Sequence, residues 1–387
     1  MACCISCKNK RLIKIISIGR QPLSGTFLKN KKLKLKKYSL DLSKCNKCGL
    51  VQLKNMINKK KLFGDNYVYR TTLSKLMVNR LNKKYKEIIK ERFINNDSKV
   101  LDIGSIDRTT SKNKVLKNTK NKKIKFDLIT SFAMFYSIKD PRSFCADIHE
   151  LLSSKGIWVL EILYLPLILK NLSYDQICHK HLAYYTITVF KNLIKKNNLK
   201  IIDIFFNEVN GGSAEIICAR QDSILKAKEN KINLILNDEK KINFQSFKNF
   251  EKRIDNNKKI IKLFLNLNSQ KKVLGYGAST KGNFILNQCN INNQQISFIC
   301  DKNNRKKNKF APGSNIKIIS KELMRKKKPD YLFVLIWSYR KEVIKQEIRY
   351  LQSGGCLVFP LPKFHLVNKF NYKEYLKKDF KIFSYHY

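Results

Sequence analysis

The chain has 387 residues and a formal net charge of +50, from 79 lysines and arginines against 29 aspartates and glutamates. Its length exceeds one ordinary hydrophobic core and predicts two or three domains, while 43% apolar residues exclude a disordered polycation. So basic a chain points towards phosphate-bearing partners, but its lysines alternate with Asn and Ile throughout, as in Lys258-Lys259-Ile260-Ile261-Lys262, which speaks for compositional bias over a concentrated nucleic-acid footprint.

No apolar run approaches the ~20 residues that span a bilayer, and the run Leu12 to Ile18 is broken by Lys14 and lacks a cleavage site. Cys218, Cys300 and Cys356 sit in apolar runs, as reduced cysteines do, so the expectation is a cytoplasmic, reducing setting. The first region, 1–60, carries Cys4-Ile5-Ser6-Cys7 and Cys45-Asn46-Lys47-Cys48-Gly49. Paired Cys-x-x-Cys knuckles offer thiolates to one tetrahedral ion; zinc is expected, iron would use the same ligands, and Cys3 beside Cys4 leaves one ligand's register open. An amphipathic helix is predicted from Leu73 to Phe93 behind Tyr67 and Tyr69, which line a pocket or pack.

The strand Lys99 to Gly104 ends in a glycine turn, and Lys125 to Phe132 is a second strand ending at the same crevice. Ser105 to Ile124 is too short and polar for further strand-helix steps, since a βαβ unit takes roughly 30 residues. A helix from Pro141 to Leu152 and a strand from Ile157 to Glu161 follow. Then comes the loop Ser173-Tyr174-Asp175-Gln176-Ile177-Cys178-His179-Lys180-His181-Leu182-Ala183-Tyr184-Tyr185, where titratable and hydroxyl groups crowd together. Proton-transfer sites are built on such loops, though a surface loop rich in His and Tyr reads the same way. Strands at Lys200 to Phe206 and Ala214 to Ala219 flank Gly211, Gly212 and Ser213, a turn for close ligand approach or a plain hairpin.

A charged helical spacer from Asp222 to Leu267 leads to a second, more complete α/β unit: strand, the turn Gly275-Tyr276-Gly277-Ala278-Ser279-Thr280-Lys281-Gly282, then strands at Ile296 to Asp301, Tyr331 to Trp337 and Cys356 to Phe359 with a helix Lys341 to Leu351. Amides at that helix start, with Lys281, suit a nucleotide phosphate; helix-sheet packing is the other use of such glycines.

Taken together, the Cys knuckles, Gln21-Pro22-Leu23, Asn66-Tyr67-Val68-Tyr69-Arg70, the His-x-His loop, Gly211-Gly212-Ser213 and Gly275 to Asn283 resemble the three-domain S-adenosylmethionine-dependent sugar C-methyltransferases. The resemblance implies an α/β protein with a zinc module (1–60), an abbreviated class I methyltransferase domain (61–222, shortened after Gly104) and a Rossmann-like carboxyl-terminal domain with its spacer (223–387). It implies a nucleotide-linked 4-keto-deoxysugar as substrate and His181 as the base, with His179, Tyr67, Tyr69 and Tyr185 around the sugar. Asp102, Gly104, Ser105, Ser131 and Phe132 would hold S-adenosylmethionine, and Gly211, Gly212, Ser213, Gly277 and Lys281 the substrate; Cys4, Cys7, Cys45 and Cys48 would hold zinc. The chain departs from the family where Lys180 replaces a Glu, where Arg108 replaces a turn glycine, and where the segment bearing the acidic ribose ligand is missing. A non-catalytic homologue that binds a nucleotide-sugar or a partner is therefore the alternative.

Overall fold

The computed structural model describes residues 3–30, 35–58, 62, 97–103 and 124–383. Tyr67, Tyr69, the helix expected from Leu73 to Phe93, and the turn holding Gly104, Ser105 and Arg108 lie outside the described residues.

The amino-terminal sheet is antiparallel: β1 (Leu12–Pro22), β2 (Lys37–Cys45) and β3 (Val51–Leu53). Leu40 and Leu42, two residues apart on β2, point into the core as the strand period requires. Opposite them β1 shifts register between Ser17 and Arg20, where Gly19 takes φ +77.

The middle domain begins with parallel β4 (Val100–Asp102), β5 (Phe126–Ser131) and β6 (Leu152–Leu163), the last two linked by α1 (Pro141–Leu151). Asp140 caps α1 by accepting from the Ser143 amide, and Pro141 occupies its first turn. β6 starts earlier than expected and is buried from Gly156 to Leu163, as befits a strand covered on both faces. After it come α2 (Leu165–Lys170), the two-residue β7 (Ala183–Tyr184), α3 (Ile187–Lys195), β8 (Leu199–Asn207) and β9 (Ser213–Arg220). β9 inserts antiparallel between β6 and β8, giving the order β4-β5-β6-β9-β8, while β7 leaves this sheet and pairs with β3. Among the described residues β4 is an edge strand.

The expected spacer is two helices, α4 (Glu229–Glu239) and α5 (Phe244–Leu267), the second opened by an Asn243/Ser246 capping box. Glu239 reaches back to α3: its carboxylate accepts from the amides of Ile187 (2.6 Å) and Thr188 (2.8 Å) and from Tyr164 Oη (2.8 Å), satisfying donors that α3 leaves open. The carboxyl-terminal sheet has β10 (Val273–Tyr276), β11 (Phe298–Cys300), β12 (Lys317–Ile319), β13 (Tyr331–Val334), β14 (Cys356–Phe359) and β15 (His365–Val367) in the order β12-β11-β10-β13-β14-β15, parallel except for β15. The strand order reverses between β10 and β13, where α/β domains open a crevice; α6 (Thr280–Gln288) starts beside it. The helix expected over Lys341 to Leu351 is broken at Glu347, whose buried carboxylate is drawn to Tyr276, Lys321 and Arg325. Among the described residues, no helix is long and apolar enough to cross a membrane.

Candidate active site

Each Cys-x-x-Cys pair closes with a left-handed residue, Lys8 (φ 61) after the first and Gly49 (φ 76) after the second; their amides donate to the carbonyls of Cys4 (2.9 Å) and Cys45 (3.0 Å). These turns bring the Sγ atoms of Cys4, Cys7, Cys45 and Cys48 within 4.8 Å of one another, with Cys4 to Cys48 and Cys7 to Cys45 at 3.5 Å. Zinc bonded to sulfur at ~2.3 Å needs tetrahedral edges of ~3.8 Å, so the thiolate set fits the ion. Cys3 is exposed and outside the cluster, which resolves the register in favour of Cys4. Buried Gln52 ties the first knuckle to β3, accepting from the Ile5 amide (2.9 Å) and donating to the Cys3 carbonyl (3.1 Å), and its backbone pairs with Ala183.

Through that pairing the zinc module holds the His loop. The loop leaves α2 through Leu172 (φ 51) and forms a tight turn at Tyr174–Gln176, anchored by Tyr174 Oη on Asn257 Oδ1 at 3.0 Å. The two histidines face different ways. His179 places Nε2 3.3 Å from the Tyr38 carbonyl on β2 and packs edge-on against the Tyr38 ring; burial lowers its pKa to about 4. His181 turns inward, packed at 4.6 Å against the ring of Tyr136, with Nδ1 2.6 Å from the Gln176 carbonyl. A carbonyl only accepts, so Nδ1 carries the hydrogen and Nε2 keeps its lone pair; among the described residues nothing hydrogen-bonds Nε2. Burial, helped by Lys180 and Lys281, pushes His181 down to about 3 against the opposing Gln176 carbonyl, so it is neutral at physiological pH.

Tyr184 Oη lies 3.3 Å from the same Gln176 carbonyl. Tyr185, the tyrosine singled out from sequence, points instead into a cluster with Phe135 and Phe190, its buried hydroxyl without a partner among the described residues.

The glycine turns meet this loop from the other side. Gly211 (φ +86) lies against Trp337 and Ser173, where a Cβ would sit 2.3 Å from the indole and 2.6 Å from Ser173 Oγ, and Gly212 (φ +135) lies against Leu167. The Gly211 carbonyl accepts from Asn171 Nδ2 (2.8 Å) and Ser173 Oγ (3.2 Å), while Ser213 Oγ donates to the Val209 carbonyl (3.0 Å). In the carboxyl-terminal domain a Cβ on Gly277 (φ +87) would meet Ile336 at 2.8 Å, and one on Gly282 would meet Leu335 at 2.5 Å, so these glycines admit close helix-sheet packing. Lys281 sends its ammonium to Asn210 Oδ1; burial lowers its pKa to about 8 while Asp175 opposes the shift. Asp175 is fully buried, accepts the Trp337 indole N–H at 2.7 Å, and is pushed up to about 6 by burial against the pull of Lys281. Asp175 and Gln176, from the loop singled out in the sequence, and Asn210 and Trp337 therefore join the candidate set, although nothing local in the sequence marks their pairing.

At the other crevice the carboxyl ends of β4 and β5 lie side by side. Asp102 is buried and accepts from Thr130 Oγ1 (2.8 Å), Ser131 Oγ accepts from Trp158 Nε1 (2.8 Å), and Phe132 packs on the sheet's outer apolar cluster. A buried carboxylate at the lip of a parallel sheet suits a ligand bearing ammonium or hydroxyl donors.

Three family models match the chain: a zinc-binding domain over residues 4–63, a methyltransferase domain over 105–204 and a C-methyltransferase C-terminal domain over 208–362. The chain is similar to the C-methyltransferase NovU of Streptomyces niveus, 24% identical over 405 residues that span 93% of this chain and 95% of that protein. Among solved structures, magnesium protoporphyrin IX methyltransferase from Synechocystis with bound SAH is 9% identical over 42% of this chain and 92% of that one, with a TM-score of 0.27. A SAM-dependent methyltransferase from Thermotoga maritima is 12% identical over 37% of this chain and 97% of that one, with a TM-score of 0.25.

Proposed function

We propose, for a chain that belongs to the zinc-binding, three-domain C-methyltransferases, that it methylates the carbon beside the ketone of a nucleotide-linked keto-deoxysugar in the cytoplasm. The observation that carries this reading is the geometry of His181, a neutral imidazole with Nδ1–H committed to the Gln176 carbonyl and Nε2 open. A ketone acidifies the neighbouring C–H; Nε2 takes that proton, and the carbon left with the electron pair is the nucleophile. S-adenosylmethionine supplies, when bound, a sulfonium methyl open to such attack. Asp102, Ser131 and Phe132 would hold it, with Gly104 and Ser105 as expected from the sequence.

Lys180 and Lys281 disfavour a lone imidazolium, yet the same two charges favour the enolate oxygen formed in the same step. Lys281 and the start of α6 also suit the anionic nucleotide end, with the turn Gly211 to Ser213 alongside. Tyr67 and Tyr69 remain the tyrosines proposed to contact the sugar, Tyr185 being turned into the Phe135 and Phe190 cluster, and His179 serves the loop as its anchor on β2.

His181→Ala is expected to lower methyl transfer by about 10²- to 10⁴-fold while leaving S-adenosylmethionine affinity unchanged by calorimetry; retained turnover would refute the base assignment. The second reading, a ligand-binding homologue without turnover, is favoured by the depression of His181 to about 3, far below the range of an efficient base. Absence of calorimetric binding at millimolar S-adenosylmethionine would decide for it.

A further inference from the structure

The hydrogen of His181 is directed to Nδ1 by the Gln176 carbonyl, and the turn bearing that carbonyl is tethered to the carboxyl-terminal part of the chain directly, by Tyr174 on Asn257 and Asp175 on Trp337, and indirectly by way of Asn210. The residue before it, Asp175, accepts the indole N–H of Trp337 at 2.7 Å, a contact spanning 162 positions of sequence. Gln176 itself gives its side-chain amide to the Asn210 carbonyl, and Asn210, in a left-handed conformation (φ 59), takes the Lys281 ammonium on its own side chain. Gly211 leaves the space that the indole fills.

We propose that Asp175 is a positioning residue for His181: held by Trp337, it fixes the Gln176 carbonyl, so that the base is set only when the carboxyl-terminal domain is docked. This rests on the reading of His181 as the base. A carboxylate is an unfavourable choice for packing alone, because Asp175 is fully buried and its Oδ1 has no partner among the described residues. What it adds over a neutral side chain is a charge-assisted, shorter grip on the indole N–H. The turn between Tyr174 and Gln176 is only three residues long, so a displaced Asp175 displaces the neighbouring carbonyl with it.

The test separates tautomer from turnover. Trp337→Phe keeps the ring and removes the N–H; Asp175→Ala removes the acceptor; Asp175→Asn keeps one. Nitrogen-15 NMR of the His181 ring should show a single Nδ1–H tautomer in the native enzyme, a mixture with Nε2–H in Trp337→Phe and Asp175→Ala, and return of the single form in Asp175→Asn. With sugar nucleotide and S-adenosylmethionine, kcat should fall about ten-fold or more in Trp337→Phe while KM stays within about two-fold. Zinc content and thermal midpoint report that the variant is folded. An unchanged tautomer in folded Trp337→Phe overturns the proposal whatever happens to kcat. Turnover surviving in His181→Ala would instead overturn the base assignment, since the tautomer is read without turnover.

Discussion

The loop carrying the two histidines is held at its ends by different kinds of contact. On the zinc side, Ala183 and Tyr184 add a strand to β3 and His179 sits against Tyr38, so the grip is a backbone ladder with a ring on a ring. On the side of the carboxyl-terminal domain the grip is made by side chains: Asp175 on Trp337, Gln176 on Asn210, Asn210 on Lys281. Acceptors without partners among the described residues, Asn171 Oδ1, Asp175 Oδ1 and Gln176 Oε1, also collect there. The ladder can be indifferent to charge; the polar junction cannot.

The largest effect is expected from breaking the ladder end. Removing zinc with a chelator, or Cys45→Ser, withdraws on the order of 10 kcal/mol of folding free energy from the module. Loss of the paired β3 edge should then abolish activity, with unfolding of the module followed by circular dichroism. Acid tests both ends at once. His179 and His181 are depressed from an ordinary 6.5 to about 4 and about 3, so their stabilisation is complete above pH 6.5 and is lost as pH falls through those values. Asp175, raised to about 6, works in the opposite sense, stabilising the fold as pH falls from about 6 to 4. The net loss between pH 7 and pH 4 should be on the order of 3 kcal/mol, and Asp175→Asn should steepen it in urea melts taken across that range.

Gly211→Ala attacks the polar end by geometry alone. It adds left-handed strain to a clash with Trp337 and should cost about 3 kcal/mol, lowering the thermal midpoint while zinc content stays intact. Tyr174→Phe is the gentlest probe: it strands Asn257 Oδ1 and should cost about 1 kcal/mol, with both loop ends otherwise in place.

What the sequence revealed follows the reach of each signal. The Cys-x-x-Cys pairs, the glycine turns and the His-x-His loop are local patterns, and the structure draws the last two together at one junction. Cys4 over Cys3 could not be chosen from spacing, because zinc knuckles take two to four intervening residues and either pairs acceptably with Cys7; exposure of Cys3 decides. The pairing of Asp175 with Trp337 carried no signal, since periodicity within an element says nothing of a partner 162 residues away. The break at Glu347 was hidden for a similar reason, because its cause is a buried ion-pair cluster assembled from two other segments, the strand ending at Tyr276 and the helix carrying Lys321 and Arg325. Gly277 had two uses open to it, and only the position of Ile336 shows that its missing Cβ makes room for packing.

The strand exchange between β3 and β7 also bears on how the chain is made. β3 ends at Leu53 and its partner begins at Ala183, so about 130 residues must be added before the edge of β3 is covered. At roughly 5–20 residues per second that interval lasts on the order of ten seconds. For that time the nascent zinc module presents a bare strand edge of Val51, Gln52 and Leu53 to its neighbours on the same polysome. Slowing the ribosome between these points should therefore raise aggregation of the newborn chain, and the soluble yield of the protein is tied to the speed with which the His loop emerges.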